Sequence, residues 1–254
     1  MRKITSFILR TIPRKYLQRI SPVVMKILGF INKGNNVECT VCGSRYKKFL
    51  PYGRLVSREN ALCPNCLSLE RHRLMYLYLK EKTNFFTAPL RVLHIAPEHC
   101  FIKKFMAMQN LTYITADLES PLAMVKMDIH DILFEENYFD VVFCNHVMEH
   151  VQNDIKAMKE IYRVLKPGGW AIIQSPLLSA GNTFEDSSIT DPKEREKIYG
   201  QDDHVRSYGK DYGQRLASAG FEVVEDDFVL TLPKDIITRY ALPAEEIIYF
   251  CKKV

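Results

Sequence analysis

No stretch of roughly 18 to 20 uncharged apolar residues occurs in the chain, so hydropathy offers no membrane-spanning helix. Acidic residues are missing from the first 37 positions, where Arg2, Lys3, Arg10, Arg14, Lys15, Arg19, Lys26 and Lys33 stand unopposed. Taking those eight from the 35 Lys and Arg leaves 27 basic residues against 30 acidic ones. The net charge of +5 therefore belongs to an arm, not to the body. Arg10, Arg14, Lys15 and Arg19 also cut each apolar run of that arm short of a signal-peptide core. Internal repeats and low-complexity segments are absent too. A length of 254 residues, 47% hydrophobic and 26% charged, describes ordinary globular sequence of one large or two small domains. Without a secretion signal, a cytoplasmic protein with reduced thiols is expected, and structural disulfides are not.

What the arm does have is apolar periodicity. Tyr16, Leu17, Ile20, Val23, Val24, Ile27, Leu28 and Ile31 fall at helical spacing, with Ser21-Pro22 as a start and Gly29 as a close. A basic amphipathic helix over residues 1–36 is expected to pack its stripe on its own domain. Peripheral contact of residues 1–31 with an anionic membrane, at the inner face of the cell membrane, is the second reading, and nucleic acid the third.

Four of the seven cysteines form Cys39-Thr-Val-Cys42 and Cys63-Pro-Asn-Cys66, with twenty residues between the pairs. Four thiolates on two tight turns match a closed tetrahedral zinc site, so a small structural zinc module is expected over 37–75. Gly43 suits the first turn. Cys100, Cys144 and Cys251 lie in apolar contexts and are expected as buried hydrophobes. "SLERHRLMYLYLKEK" then predicts a helix, whose Glu70, Arg71, His72 and Arg73 read as a solvated helix start or an inter-module salt bridge.

From residue 90 the pattern alternates. Apolar strands at 91–95, 112–116, 140–144 and 170–174 are separated by helical patterns near 99–109 and 151–165. That alternation predicts an α/β fold: a Rossmann-like, mainly parallel sheet with helices on both faces. Ligands of such sheets bind beyond the carboxyl ends of the strands. Asp117, followed by Leu118, ends the second strand, where an acid can accept both hydroxyls of an adenosine ribose. Asp128-Ile129 offers a polar edge and an apolar face to adenine, and Asn145, His146, Glu149 and His150 follow the next strand.

In this ordered set, and above all in "YFDVVFCNHVMEHVQNDIKAMKEIYRVLKPGGWAIIQSP", the sequence from residue 90 onward resembles class I S-adenosylmethionine-dependent methyltransferases of the type 11 group. The resemblance implies a methyltransferase domain over 76–254, with S-adenosylmethionine as cofactor. It assigns Asp117 to the ribose, Asp128-Ile129 to adenine, and Asn145 and His146 to the methionine end. One stretch departs from the family. Where the family carries an acid and then a glycine-rich turn, this chain has His94 and then Ile95-Ala96-Pro97-Glu98. Glu98 can pair with the cofactor's ammonium or simply favour a helix start.

Residues 177–209 form a long polar insert of the kind that often serves as a lid. Its "DDHVRSYG" brings His204, Arg206 and Tyr208 next to a helix expected to begin near Ser207. His204, with Asp203 beside it, is the first candidate base and His146 the second, with Tyr208 as a further catalytic candidate. Strands at 221–229 and 246–254 are expected to pair antiparallel at a sheet edge, with 232–245 above the pocket. The expected reaction is methyl transfer to O or N of a small-molecule or carrier-linked acceptor such as a sugar. Two rivals are an RNA methyltransferase gripping RNA through the zinc module and arm, and a non-enzymatic zinc-containing binding protein.

Overall fold

The computed structural model describes residues 24–254, except 26, 54, 55 and 122. It divides into two compact units, one ending at Leu77 and taking in Leu232–Ala244, the other made of Tyr78–Thr231 and Glu245–Val254. Among the described residues, no helix is long and apolar enough to cross a membrane. Residues 1–23 of the arm lie outside the described residues. At 27–31 the chain is helical, so Gly29 sits inside the helix and does not close it. Of the expected stripe, Val24, Ile27 and Ile31 are exposed and Leu28 is half-buried, so most of this part does not pack on its own domain.

In the first unit, β1 (Lys33–Glu38) pairs antiparallel with β2 (Arg45–Tyr46), and β3 (Leu50–Tyr52) with β4 (Arg58–Leu62). One cysteine pair joins β1 to β2 and the other follows β4. The helix α1 (Glu70–Lys82) comes next. Its Arg73 is not solvated, as the sequence suggested, but fully buried. The guanidinium donates to the carbonyls of Ala61 at 2.8 Å, Tyr240 at 2.7 Å and Ala241 at 2.7 Å, and lies 4.2 Å over the Phe49 ring. Five donors in a rigid fork let one side chain tie three segments together. Arg239, on the helix Lys234–Tyr240, adds an ion pair to Glu38 at 2.8 Å. These bonds explain why 232–244 joins the cysteine unit.

The second unit is one seven-stranded sheet. Its strands are β5 (Leu90–Ile95), β6 (Leu111–Asp117), β7 (Val125–Lys126), β8 (Phe139–Asn145), β9 (Leu165–Gln174), β12 (Glu222–Asp226) and β13 (Ile248–Lys252). The order is β12-β13-β9-β8-β5-β6-β7, and only the β12–β13 and β13–β9 pairings are antiparallel. The parallel strands read as continuous apolar runs because both faces are covered, and nearly all of Phe139–Asn145 is buried. α2 (His99–Met106) and α3 (Asp154–Val164) are the crossovers. α3 starts on Asn153, whose side chain accepts from the Lys156 amide at 2.9 Å. It buries Ala157, Met158, Ile161 and Val164. By the area rule, each large apolar side chain so buried contributes about 1.5–3 kcal/mol.

The insert 177–209 is ordered. It holds β10 (Phe184–Glu185), α4 (Pro192–Tyr199) and β11 (Arg206–Ser207), with β10 antiparallel to β11. The helix expected from Ser207, α5 (Tyr212–Ser218), starts five residues later. Arg206 and Ser207 pair as a strand instead, and at Gly209 a Cβ would stand 2.0 Å from the Gly181 carbonyl oxygen. Only a glycine allows that close approach.

Candidate active site

Parallel strands end at one edge of the sheet. Ile95 stands level with Ala116 and with Cys144, so Ala96, Asp117 and Asn145 lie one residue past a common line. The predicted residues after β5, β6 and β8 thus converge.

The turn without glycines still takes the shape glycine would give it. Ala96 has φ +50°, a left-handed conformation that costs a residue with a Cβ about 1–2 kcal/mol. Its amide donates to the Ala116 carbonyl at 2.8 Å. Pro97 is buried behind it. Glu98 stands at the start of α2 but does not cap it. Its Oε2 instead meets His94 Nε2 in a short contact, and its Oε1 accepts from Asn145 Nδ2 at 3.0 Å. His94 Nδ1 lies 2.6 Å from the Tyr113 hydroxyl. The acid missing from position 94 is therefore supplied four residues later, from the helix. The spacing of His94 and Glu98 was the available signal, and sequence reasoning did not draw it.

Asp117 Oδ1 accepts the amides of Glu119 at 2.8 Å and Ser120 at 2.7 Å, which folds the chain back after β6. Oδ2 has no hydrogen bond among the described residues. Leu118 beside it is exposed. Asp128 is exposed, and the His130 backbone amide and ring hold its carboxyl below the usual range. Ile129 beside it is buried.

His146 has φ +55°, and its amide donates to the Gln174 carbonyl at 2.7 Å. Its Nδ1 lies 3.4 Å from Glu149 Oε1, and the side chain is 27% exposed. Burial pushes the Glu149 carboxyl up, but the His146 contact outweighs it and the net direction is down. His204 is buried, and its Nδ1 stands 2.9 Å from the Tyr199 carbonyl. The carboxylate of Asp203 lies 3.4 Å from His150 Nδ1. Tyr208 is fully buried and its hydroxyl donates to Asp154 at 2.7 Å. Asp154 also receives Arg215 at 2.9 Å. Arg206 donates to the carbonyls of Met148 (2.7 Å), Val151 (2.6 Å) and Gln152 (2.9 Å), clamping the insert to the loop after β8.

In the other unit, Cys39, Cys42, Cys63 and Cys66 place their sulfurs within 4.8 Å of one another. Cys39 and Cys66 are 3.6 Å apart, Cys42 and Cys63 3.7 Å. A tetrahedron with zinc–sulfur bonds near 2.3 Å has edges of about 3.8 Å, so the residues fit the ion. Hydrogen bonds from Cys39, Cys63 and Cys66 pull the Cys42 thiol down, while the Cys66 thiol is pushed up by Cys39 and its other neighbours. Four thiols this close compete for protons, and a divalent cation relieves that competition. Around the knuckles Tyr46 and Phe49 are buried while Tyr52 is exposed, and Arg45 and Arg58 pair with Glu38 and Glu70 at 2.9 Å.

Residues 100–173 match the family model described as a methyltransferase domain. The chain is 30% identical over 111 residues to a sterol 24-C-methyltransferase of Kluyveromyces lactis, covering 43% of this chain and 29% of that protein. It is 33% identical over 88 residues to the sterol 4-C-methyltransferase strm-1 of Caenorhabditis elegans, covering 35% and 25%. The chain thus spans under a third of the length of these curated relatives. A solved S-adenosylmethionine-dependent methyltransferase from Archaeoglobus fulgidus is 16% identical, with a TM-score of 0.45 over 71% of this chain and 93% of that one, a likeness too loose to assign a reaction. The family match runs from α2 almost to the end of β9 and takes in Asp117, Asn145 and His146, so over this stretch the seven-stranded unit is similar to methyltransferase domains.

Proposed function

We propose that this protein transfers a methyl group from S-adenosylmethionine to an oxygen or nitrogen of a small-molecule or carrier-linked acceptor. The convergence of Ala96–Glu98, Asp117 and Asn145–His146 at one sheet edge carries this reading. Two relatives named for sterols support a small-molecule acceptor.

Asp117 keeps one carboxylate oxygen for the ribose hydroxyls, and Asp128 offers an acceptor at the adenine edge. Glu98, held by His94 and Asn145, sets a fixed negative charge toward the cofactor's ammonium. The bound cofactor supplies a methyl on a cationic sulfur, which keeps the bonding pair when the acceptor's lone pair displaces it. Positioning of the acceptor provides most of the rate. His146, backed by Glu149 and reachable from solvent, takes the acceptor's proton. Tyr208 and Arg206 hold the insert in place and do not touch the reacting atoms.

The cysteine unit holds one structural zinc on Cys39, Cys42, Cys63 and Cys66, a set with no open position for chemistry. Calorimetry with S-adenosylmethionine is the first test, and saturable binding is expected. Radiolabelled methyl transfer to hydroxyl- and amine-bearing small molecules, with RNA in parallel, is the second. Absent cofactor binding at millimolar concentration overturns the enzyme reading, and label entering RNA alone overturns the acceptor class.

A further inference from the structure

We propose that Glu149, His150 and His204 form a second metal site, one that takes a first-row divalent cation on two imidazoles and a carboxylate. The ligand atoms of the three side chains all lie within 4.8 Å of one another. Glu149 and His204 are almost fully buried, at 2% and 1% exposure.

His204 points to a cation by its tautomer. Nδ1 stands 2.9 Å from the Tyr199 carbonyl, which can only accept, so Nδ1 carries the proton and Nε2 carries a lone pair. That Nε2 is buried and has no hydrogen-bond partner. A neutral imidazole fixed by a carbonyl on one nitrogen, with the other nitrogen bare, is the arrangement of a metal ligand.

Its neighbours are held to match. The Val205 amide donates to the Glu149 carbonyl at 2.9 Å, and Arg206 donates to Met148 and Val151 on either side of Glu149-His150. Two segments more than fifty residues apart are thereby locked in register, and a binding constellation needs such support. Glu149 Oε2 accepts from the Ser175 hydroxyl at 2.9 Å, which orients the carboxylate. Asp203 stands 3.4 Å from His150 Nδ1 and can orient that ring in the same way. The rings of His150 and His204 meet edge to face with centroids 4.6 Å apart, so both imidazoles already border one small volume.

Two nitrogens and one oxygen favour zinc, iron, cobalt or manganese over magnesium or calcium. Three ligands leave open positions, unlike the four-cysteine cluster. An oxygen ligand there, water or an acceptor hydroxyl, would have its proton affinity lowered by the cation. A histidine spent in this way is not a general base, which leaves His146 in that role.

The test needs neither acceptor nor cofactor, so its failure is separable from failure of the methyltransferase reading. The full chain as purified is titrated with Co(II), and bound metal is counted per chain alongside calorimetry and the visible spectrum. A second equivalent is expected, distinguished from the four-sulfur site by its lack of sulfur-to-metal charge transfer. His204→Ala and His150→Gln should each weaken this equivalent at least tenfold and leave the cysteine-bound equivalent intact. His150 is about one-third exposed, so its variant should fold even where His204→Ala does not. No second equivalent at millimolar Co(II), or one that His150→Gln leaves unchanged, overturns the proposal.

Discussion

The two units are held by different means. The seven-stranded unit rests on a continuous apolar cluster from Leu93 to Cys251, in which α3, α5 and the sheet interlock. The cysteine unit has two short hairpins, Phe49 and Arg73 at its centre, and four facing sulfurs. A module with so little apolar area needs an added constraint, and a structural metal is the usual one. On the zinc reading proposed above, one unit is stabilised by area and the other by coordination, and each should fail by its own route.

The largest expected effect breaks the comparison at the metal. Cys63→Ser should remove zinc, and with it most of the roughly 10–16 kcal/mol by which such sites drive folding in isolated fingers. Elemental analysis should fall from one zinc per chain to none, and proteolysis should cut within 33–77 before it cuts the sheet. Retention of full zinc, or simultaneous loss of both units, contradicts the division.

The counterpart in the sheet unit is Asp154. It is buried, and it accepts Tyr208 at 2.7 Å and Arg215 through two contacts of 3.0 and 2.9 Å. Asp154→Ala strands those donors and should cost about 3–5 kcal/mol, the range for breaking a buried pair. Burial alone would raise this carboxyl, but Arg215 and Tyr208 outweigh it and its net direction is down. A carboxyl depressed on folding contributes stability above its unfolded value and loses it as pH falls through the folded one. Denaturation midpoints should therefore show a shallower acid limb in Asp154→Ala, while zinc content stays at one. An unchanged acid limb assigns the loss to packing.

The sheet was legible because both its faces are covered: Val92–Ile95 and Val141–Cys144 read as unbroken apolar runs. The cysteine cluster was legible because its members come as two pairs close in sequence. What escaped is what tertiary contact decides. Arg73 and Ala241 meet across 168 positions, and nothing local in "TRYALPAE" announces that its carbonyls receive a guanidinium. Arg206 and Ser207 became a strand because Phe184-Glu185 came to pair with them. Glu149 and His150 stand out after β8 in the sequence, but only the fold brings His204 to them.

Asp117 sharpens the comparison on the functional side. Asp117→Ala should weaken S-adenosylmethionine binding by about 1.5–3 kcal/mol, the range for hydrogen bonds to a charged acceptor. Because Oδ1 also closes the turn at Glu119–Ser120, Asp117→Asn is the cleaner variant, since it keeps an acceptor there. If calorimetry finds the asparagine variant binding as tightly as the parent, the residue shapes the turn and does not hold the ribose.

The smallest effect lies inside the cysteine unit, where two knuckles with the same backbone turn carry different residues after the second cysteine. In each, the amide after the second cysteine returns to the first cysteine's carbonyl, Gly43 to Cys39 at 2.8 Å and Leu67 to Cys63 at 2.9 Å. Both positions are left-handed, with φ +71° and +63°. Glycine adopts this freely, whereas leucine pays in strain, about 1–2 kcal/mol. Space does not oppose a side chain at Gly43, since a Cβ there would meet nothing within 4 Å. Gly43→Ala should therefore destabilise by backbone strain alone, about 1 kcal/mol. Leu67→Gly removes strain but loosens the unfolded chain, so it should fall between no change and about 1 kcal/mol of stabilisation. Zinc release under increasing denaturant reads both. A Leu67→Gly variant that loses zinc earlier than the parent means that the partly exposed leucine packs against the second knuckle, and that the two turns are alike in backbone only.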